Sequence, residues 1–415
     1  MEFLETMNTV LMAAFLLCYA YQFFYILIPH LRRDKPHKPP RMNRYAILIC
    51  ARNEEKVIAD LIESLHCQTY PQERMKIFVM ADNCTDHTAF TARVAGATVY
   101  ERFDTKNVGK GYALDALLRQ IAEDEPEPFD GYFVFDADNL LRPDYIERMN
   151  ETFSDGYEIV TSYRNSKNYG DNWISAGYAL WFLRESQYLN HARMLLGTSC
   201  AVSGTGFLFS RKILEEQGGG WPFHLLTEDI EFSAAQILKG YKIGIAADAI
   251  LYDEQPTTFR QSWRQRLRWS KGYLQILRQY GTKLLGGIFK GSFSCYDMSM
   301  NILPAFVFSI LGTASNLALF ALQLANDASG FAALLSILQM LGSMYLTLFA
   351  IGAITTATQW KLIHTTARKK ILYTFTFPVF MFTYIPISLT ALFTKVEWKP
   401  IHHSVTARQV NFIQK

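Results

Sequence analysis

Four long apolar stretches constrain what this 415-residue chain can fold into, and all four lie near its ends. Val10 to Ile28 is built largely of Leu, Ala, Phe and Tyr and holds no charged residue. About 20 such residues are enough to cross the hydrocarbon of a bilayer. Three more stretches, at 298–324, 330–358 and 371–394, follow near the C-terminus. Between them, residues 42–295 carry most of the charge. The pattern predicts a sheet-forming domain held between membrane anchors. Only 19% of residues are charged, against about 25% in ordinary soluble chains, which argues against a wholly soluble enzyme.

The first stretch reads as an anchor and not as a cleaved signal. Glu2 and Glu5 stand where lysines would, and Gln22-Phe23-Phe24-Tyr25 offers no small-residue cleavage site. Arg32, Arg33, Lys35, Lys38 and Arg41 follow it, so the positive-inside rule puts the next domain in the cytoplasm. Asn326 to Gly330 has no Lys or Arg and suits the outside; Lys361, Arg368, Lys369 and Lys370 suit the inside. Three full C-terminal crossings would leave Lys395, Lys399 and Arg408 outside. Pro378 and Pro386 each remove a helical hydrogen bond, so a broken or re-entrant last segment is expected, with the tail cytoplasmic. The expected divisions are a transmembrane helix (1–31), a linker (32–43), the main domain (44–257), an amphipathic interfacial region (258–295), C-terminal transmembrane segments (296–394) and a tail (395–415).

Within the main domain, strand and helix patterns alternate. Strands are expected at 44–50, 76–80, 98–100 and 131–135. Helices are expected from Asn53 to about His66, at 85–94, 111–121 and 230–239. Alternation of this kind predicts an α/β domain with a largely parallel sheet, whose ligands bind beyond the carboxyl ends of the strands. No GxGxxG follows the first strand and no GxxxxGK[ST] occurs, which removes the common dinucleotide and P-loop readings. A net charge of +3 gives no sign of nucleic-acid binding. The six cysteines (18, 50, 67, 84, 200, 295) show neither CxxC nor zinc spacing and read as free thiols.

Four places carry chemistry. Asp136-Ala137-Asp138 follows the strand Gly131–Phe135, where alternate carboxylates can offer oxygens to a divalent cation and to a sugar hydroxyl. A solvated turn is the bland reading of such a triplet. Asp82 ends a similar apolar strand, where a helix cap is its bland reading. Thr227-Glu228-Asp229 opens a helix, with Thr227 as a candidate cap or an acid as general base. Gln265-Arg266-Leu267-Arg268-Trp269 lies in an amphipathic segment whose arginines, Arg260 and Arg278 among them, suit lipid headgroups.

Together and in this order, these sites resemble the membrane-integrated glycosyltransferases of family 2, which include cellulose, chitin, hyaluronan and poly-N-acetylglucosamine synthases. The resemblance covers roughly residues 44–275 and implies a GT-A fold. It implies that Ala51, Glu54, Asp82, Lys110, Asp136, Gln265 and Arg268 bind the donor, a UDP-sugar. Asp138 would hold Mg²⁺ or Mn²⁺, Asp229 would be the base, and Ser203, Gly204 and Trp269 would line the acceptor site. Trp398 and His402 in the tail resemble a C-terminal segment of some relatives. The implied reaction is inverting hexosyl transfer at the cell membrane. Processive synthesis of a β-linked polysaccharide, coupled to secretion, comes first. Transfer of one sugar to a lipid is the alternative, and a scaffold with a dead transferase domain is the rival from another class. Expected partners are the donor, a growing glycan or lipid acceptor, membrane lipids, and a second copy or an accessory membrane subunit.

Overall fold

The computed structural model describes residues 2–302, 304–325, 331–398 and 403–407. The loop expected outside, 326–330, and His402 lie outside the described residues. Among the described residues, eight strands form one sheet: β1 (Tyr45–Ala51), β2 (Met75–Asp82), β3 (Thr98–Arg102), β4 (Gly131–Asp136), β5 (Leu140–Leu141), β6 (Ile159–Ser166), β7 (Phe207–Ser210) and β8 (Ile243–Asp253). Their order is β3-β2-β1-β4-β7-β6-β8-β5. The half built from β3, β2, β1 and β4 is parallel, as expected. The other half is mixed, because β7 runs antiparallel to both β4 and β6. Sequence alternation could not show this, since helical segments at 173–196 separate β6 from β7, and a helical connection does not by itself fix whether the strands it joins run parallel.

The helices are α1 (Glu2–Leu31), α2 (Ile58–His66), α3 (Thr88–Val94), α4 (Lys110–Asp124), α5 (Tyr145–Ser154), α6 (Trp173–Arg184), α7 (His191–Leu196), α8 (Arg211–Glu216), α9 (Glu228–Leu238), α10 (Phe259–Phe289), α11 (Phe293–Ile302), α12 (Pro304–Ala325), α13 (Phe331–Thr358), α14 (Ala367–Phe382) and α15 (Tyr384–Phe393). Helix α2 starts later than expected. Asn53 takes a left-handed φ of 59°, and its side-chain oxygen accepts from the Thr85 backbone N–H at 2.8 Å. The 53–57 segment is therefore a loop tied to the end of β2.

Both faces of the sheet are covered, which is why its parallel strands read as unbroken apolar runs. Ile47, Ile49, Phe133 and Phe135 pack with Leu61 and Leu65 of α2 and Met149 of α5. Their neighbours Leu48, Met80 and Val134 pack with Leu114 and Leu117 of α4 on the opposite face.

Three helical stretches among the described residues are long and apolar enough to cross a membrane: Thr9–Leu31, Leu341–Thr358 and Ala367–Phe393. The last is broken at Thr383. Pro386 has no N–H for the Phe382 carbonyl and its ring crowds that oxygen. Arg266 of α10 fills the break: its Nη1 donates to the Phe380 carbonyl (3.1 Å) and to Thr383 Oγ1 (2.6 Å). Beyond α15 the chain returns to the sheet domain. There the Ala407 N–H donates to Asp60 at 2.6 Å, and Lys167 donates to the Val405 carbonyl at 3.0 Å.

Helix α1 is fastened to the sheet domain by a buried charge pair. Arg193 of α7 donates through Nε (2.7 Å) and Nη2 (2.9 Å) to Asp297 of α11. The Tyr21 and Tyr25 hydroxyls of α1 donate to the same carboxylate, at 2.7 and 2.8 Å. Breaking such a pair leaves an uncompensated buried charge, which costs about 3–5 kcal/mol. Arg193→Met is therefore expected to destabilise the detergent-solubilised protein by roughly that amount. The double variant Arg193→Met/Asp297→Leu is expected to lose less. A double-mutant cycle of thermal unfolding checks this, and additive losses would contradict it.

Candidate active site

The site gathers at the carboxyl ends of the parallel strands. Asp82 closes β2 and is 4% exposed. Its Oδ1 accepts from Arg102 Nη1 at 2.6 Å and from Asn83 Nδ2 at 3.1 Å, so it caps no helix. Asp136 closes β4, and Lys110, at the start of α4, donates to its Oδ1. The same ammonium donates to the Gly204 carbonyl at 2.8 Å. Burial lowers the Lys110 pKa, but Asp136 and Glu228 outweigh it and hold the ammonium charged.

The segment 203–206 runs alongside. The Asp136 N–H donates to Thr205 Oγ1 at 2.8 Å, and the Gly206 N–H donates to the Val134 carbonyl at 2.9 Å. Gly206 has φ +64°, and a Cβ there would stand 1.9 Å from Leu251 Cδ2. Only glycine lets this backbone lie against β8.

Asp138 is 4% exposed and accepts from the Glu254 N–H at 2.7 Å. Burial would raise its pKa; His403, Lys167 and Arg164 outweigh that and hold it below the usual carboxylate range. His403 bonds Glu54 at 2.9 Å. Burial favours its neutral ring, yet Asp138 and Glu54 raise it to about 10. The pocket thus draws positive charge toward Asp138. Among the described residues no three His, Cys, Asp or Glu side chains are grouped to hold a metal by themselves. A hard cation bound here would complete its shell from phosphate oxygens, the usual arrangement for Mg²⁺ with one or two carboxylates. Asp138 and Asp136 fit that role.

On the other side, Asp229 lies in the first turn of α9, with its Oδ2 3.6 Å from where a Cβ on Gly204 would stand. Thr227 takes the cap position, but its hydroxyl caps nothing. Burial pushes the Glu228–Asp229 pair up, Glu228 to about 7, while Lys110 and Arg268 pull both down.

Arg268 of α10 donates to the Leu226 carbonyl at 2.5 Å. Gln265 Oε1 is buried with no hydrogen-bond partner among the described residues. The Trp269 ring meets Tyr178 and Phe182 edge-on, with centroids at 5.7 and 6.2 Å. Arg260 and Arg278 stay exposed.

One cavity of about 1070 Å³ touches every residue the sequence singled out for donor, metal, base and acceptor: Ala51, Glu54, Asp82, Lys110, Asp136, Asp138, Ser203, Gly204, Asp229, Gln265, Arg268 and Trp269. It continues without a break to Phe15 and Tyr19 of α1, Asn316 of α12, Thr347 of α13 and Met381 of α14. Trp398 lines it too, with the Arg52 guanidinium 5.4 Å from its ring centroid.

Sequence reasoning missed several residues that line or brace this cavity. Arg164 donates to Asp253 at 2.7 Å and to the Ser203 carbonyl at 2.8 Å. Glu254, His403 and Glu185 complete the set. The pair Asp253-Glu254 at the end of an apolar strand was a readable signal, of the kind that flagged Asp136. His403 stands one position after the histidine singled out.

A family model described as "Glycosyltransferase like family 2" matches residues 40–272, more than half of the chain. The chain belongs to this family. A β-monoglucosyldiacylglycerol synthase of Synechocystis is 26% identical over 250 residues, 58% of this chain and 50% of that one. A poly-β-1,6-N-acetyl-D-glucosamine synthase of Staphylococcus aureus is 24% identical over 234 residues, 55% of this chain and 54% of that one. The chain thus spans about half the length of these curated relatives. Among solved structures, the mannosyltransferase PcManGT of Pyrobaculum calidifontis, in complex with GDP-Man and Mn²⁺, superposes with a TM-score of 0.57. That match has 16% identity and covers 93% of this chain and 99% of that one. The likeness shows the GT-A fold.

A base must be ionised to work, so the raised Glu228–Asp229 pair predicts a pH limb. The pair faces Lys110 of α4, Arg268 and Tyr273 of α10, and Glu185 after α6. With one of the pair acting as base, transfer is expected to fall about tenfold per pH unit on the acid side of the pair's raised titration. Glu228→Gln removes a neighbouring negative charge and should shift the limb to lower pH. A kcat/KM profile for the acceptor checks both, and a flat profile in the wild type would contradict the assignment.

Proposed function

We propose that the protein transfers a hexosyl group, with inversion, from a UDP-sugar to a hydroxyl of an acceptor that reaches the site from the membrane. The continuous cavity carries this reading, since it joins the charged donor end at Asp136 and Lys110 to the apolar helices. In the mechanism, Asp82 holds the nucleotide base, with Ala51 and Glu54 beside it. Lys110 and Arg268 neutralise charge growing on the departing diphosphate, aided by Gln265. Such preorganised electrostatics is usually the largest catalytic contribution. A divalent cation held by Asp138 and Asp136 would supply further charge neutralisation there. Asp229 accepts the proton of the attacking hydroxyl while Ser203, Gly204 and Trp269 position the acceptor. An α-linked donor then gives a β-linked product.

A lipid acceptor comes first. The volume of about 1070 Å³ lies just above the range of pockets for one small ligand, about 300–1,000 Å³. That suits a nucleotide sugar plus one acceptor head. Phe15, Leu348, Ile351 and Phe377 give the membrane-level walls an apolar character that suits an acyl or prenyl chain. The order of the two reactions expected from the sequence is thereby reversed. Processive synthesis of a β-linked polysaccharide is the second reading, favoured by Gln22, Gln339 and Thr347 among the same walls. The catalytic domain is assigned to the cytoplasmic side of the cell membrane by its flanking Lys and Arg, as in a multi-pass protein.

Three outcomes are expected. Asp229→Asn abolishes transfer, by about 10²–10⁴ in rate, with UDP affinity nearly unchanged. UDP release with an acceptor and calorimetry of UDP check this, and near-normal turnover would remove Asp229 as the base. Asp138→Asn weakens metal-dependent donor binding, and full activity in excess chelator would overturn the metal role. Labelling of Ser329→Cys in intact cells should succeed from outside, and protection there would overturn the orientation.

A further inference from the structure

Helix α6 runs into a π-helical turn, Glu185–Asn190, before α7. Turns of this pitch are rare and are often found at functional sites. The first residue of this one, Glu185, lines the cavity. Its Oε2 accepts from Ser203 Oγ at 3.0 Å. Its other oxygen, Oε1, has no hydrogen-bond partner among the described residues.

Ser203 and Gly204 are consecutive, with Cα atoms about 3.8 Å apart. One fixes Glu185 and the other abuts Asp229. The two carboxylates therefore flank a single stretch of backbone on the acceptor side of the cavity. Phe182, Trp269 and Tyr273 line the same cavity, and Tyr273 lies near enough to both carboxylates to feel their charge. Carboxylate acceptors beside aromatic faces suit a carbohydrate, which presents several hydroxyls and apolar C–H faces at once. A lone alcohol needs only the base.

We propose that Glu185 binds a second hydroxyl of the acceptor, next to the one Asp229 deprotonates, so that the acceptor head is a sugar or another polyol. This rests on the transferase reading above and deepens it by naming the acceptor class. Glu185 forms no bond to the transferred sugar. It accepts one hydrogen bond and thereby aims the neighbouring hydroxyl at the donor. Burial raises the Glu185 pKa and Arg164 opposes that, so the carboxylate rests in a desolvated setting. Hydrogen bonds to charged groups count for most in such surroundings.

The test uses the full-length protein in lipid nanodiscs with UDP-sugar. Two acceptors share the same acyl chains: dioleoylglycerol, with one free hydroxyl, and glucosyl-dioleoylglycerol, with a sugar head. The wild type is expected to favour the glucosylated lipid in kcat/KM by about tenfold or more. Glu185→Gln should raise the KM for that lipid by about tenfold to a hundredfold and erase the preference. Its UDP affinity by calorimetry should stay unchanged, and Glu185→Asp should recover part of the preference. The wild-type comparison needs no variant, so a misfolded Glu185→Gln leaves the test intact. Equal use of both lipids by the wild type, or a preference that survives in a folded Glu185→Gln, overturns the proposal. Failure of the wild type to bind UDP overturns the transferase reading beneath it, which separates the two.

Discussion

Cys50 of β1 is paired in register with Met80 of β2 on one side and with Asp136 of β4 on the other. Parallel strands paired this way end at one level, so Asp82, Asp136 and Asp138 meet at one edge of the sheet. The cost of gathering carboxylates away from water is met by cations from other elements. Arg102 holds Asp82, Lys110 holds Asp136, and Arg164 holds Asp253. Each ion pair is partly or wholly shielded, which strengthens it relative to a surface pair. The charged end of the cavity is the consequence of register plus charge pairing.

The second constraint is how α10 divides its side chains. Consecutive helical positions differ by about 100°, so the run Gln265 to Trp269 cannot act on one face alone. Gln265, Arg268 and Trp269 reach the cavity. Arg266 turns to α14 and α15 and satisfies the carbonyl region opened by the proline break. Lys271 donates to the Ala391 carbonyl at 3.0 Å, in the last turn of α15, where a cation also suits the helix dipole. One helix thereby ties the sheet domain to the apolar helices while lining the cavity between them. Such a tie keeps the two ends of the cavity at a fixed separation, as the proposed one-step transfer requires.

The amino-acid sequence by itself determined the parallel half of the sheet, the acids at its strand ends, the apolar segments and the broken last one. These depend on local periodicity, on the conformational limits of proline and on where charge interrupts an apolar run, all readable along the chain. The antiparallel β7, the late start of α2, and the parts played by Arg164, Glu185, Arg266 and His403 were decided only by the tertiary structure. Glu185 precedes Asp229 by more than forty positions, and His403 lies nearly 350 positions beyond Glu54. No local signal links residues so far apart. The link is made by desolvation: a buried carboxylate or guanidinium must find its partner, and only the packed chain shows which distant residue supplies it.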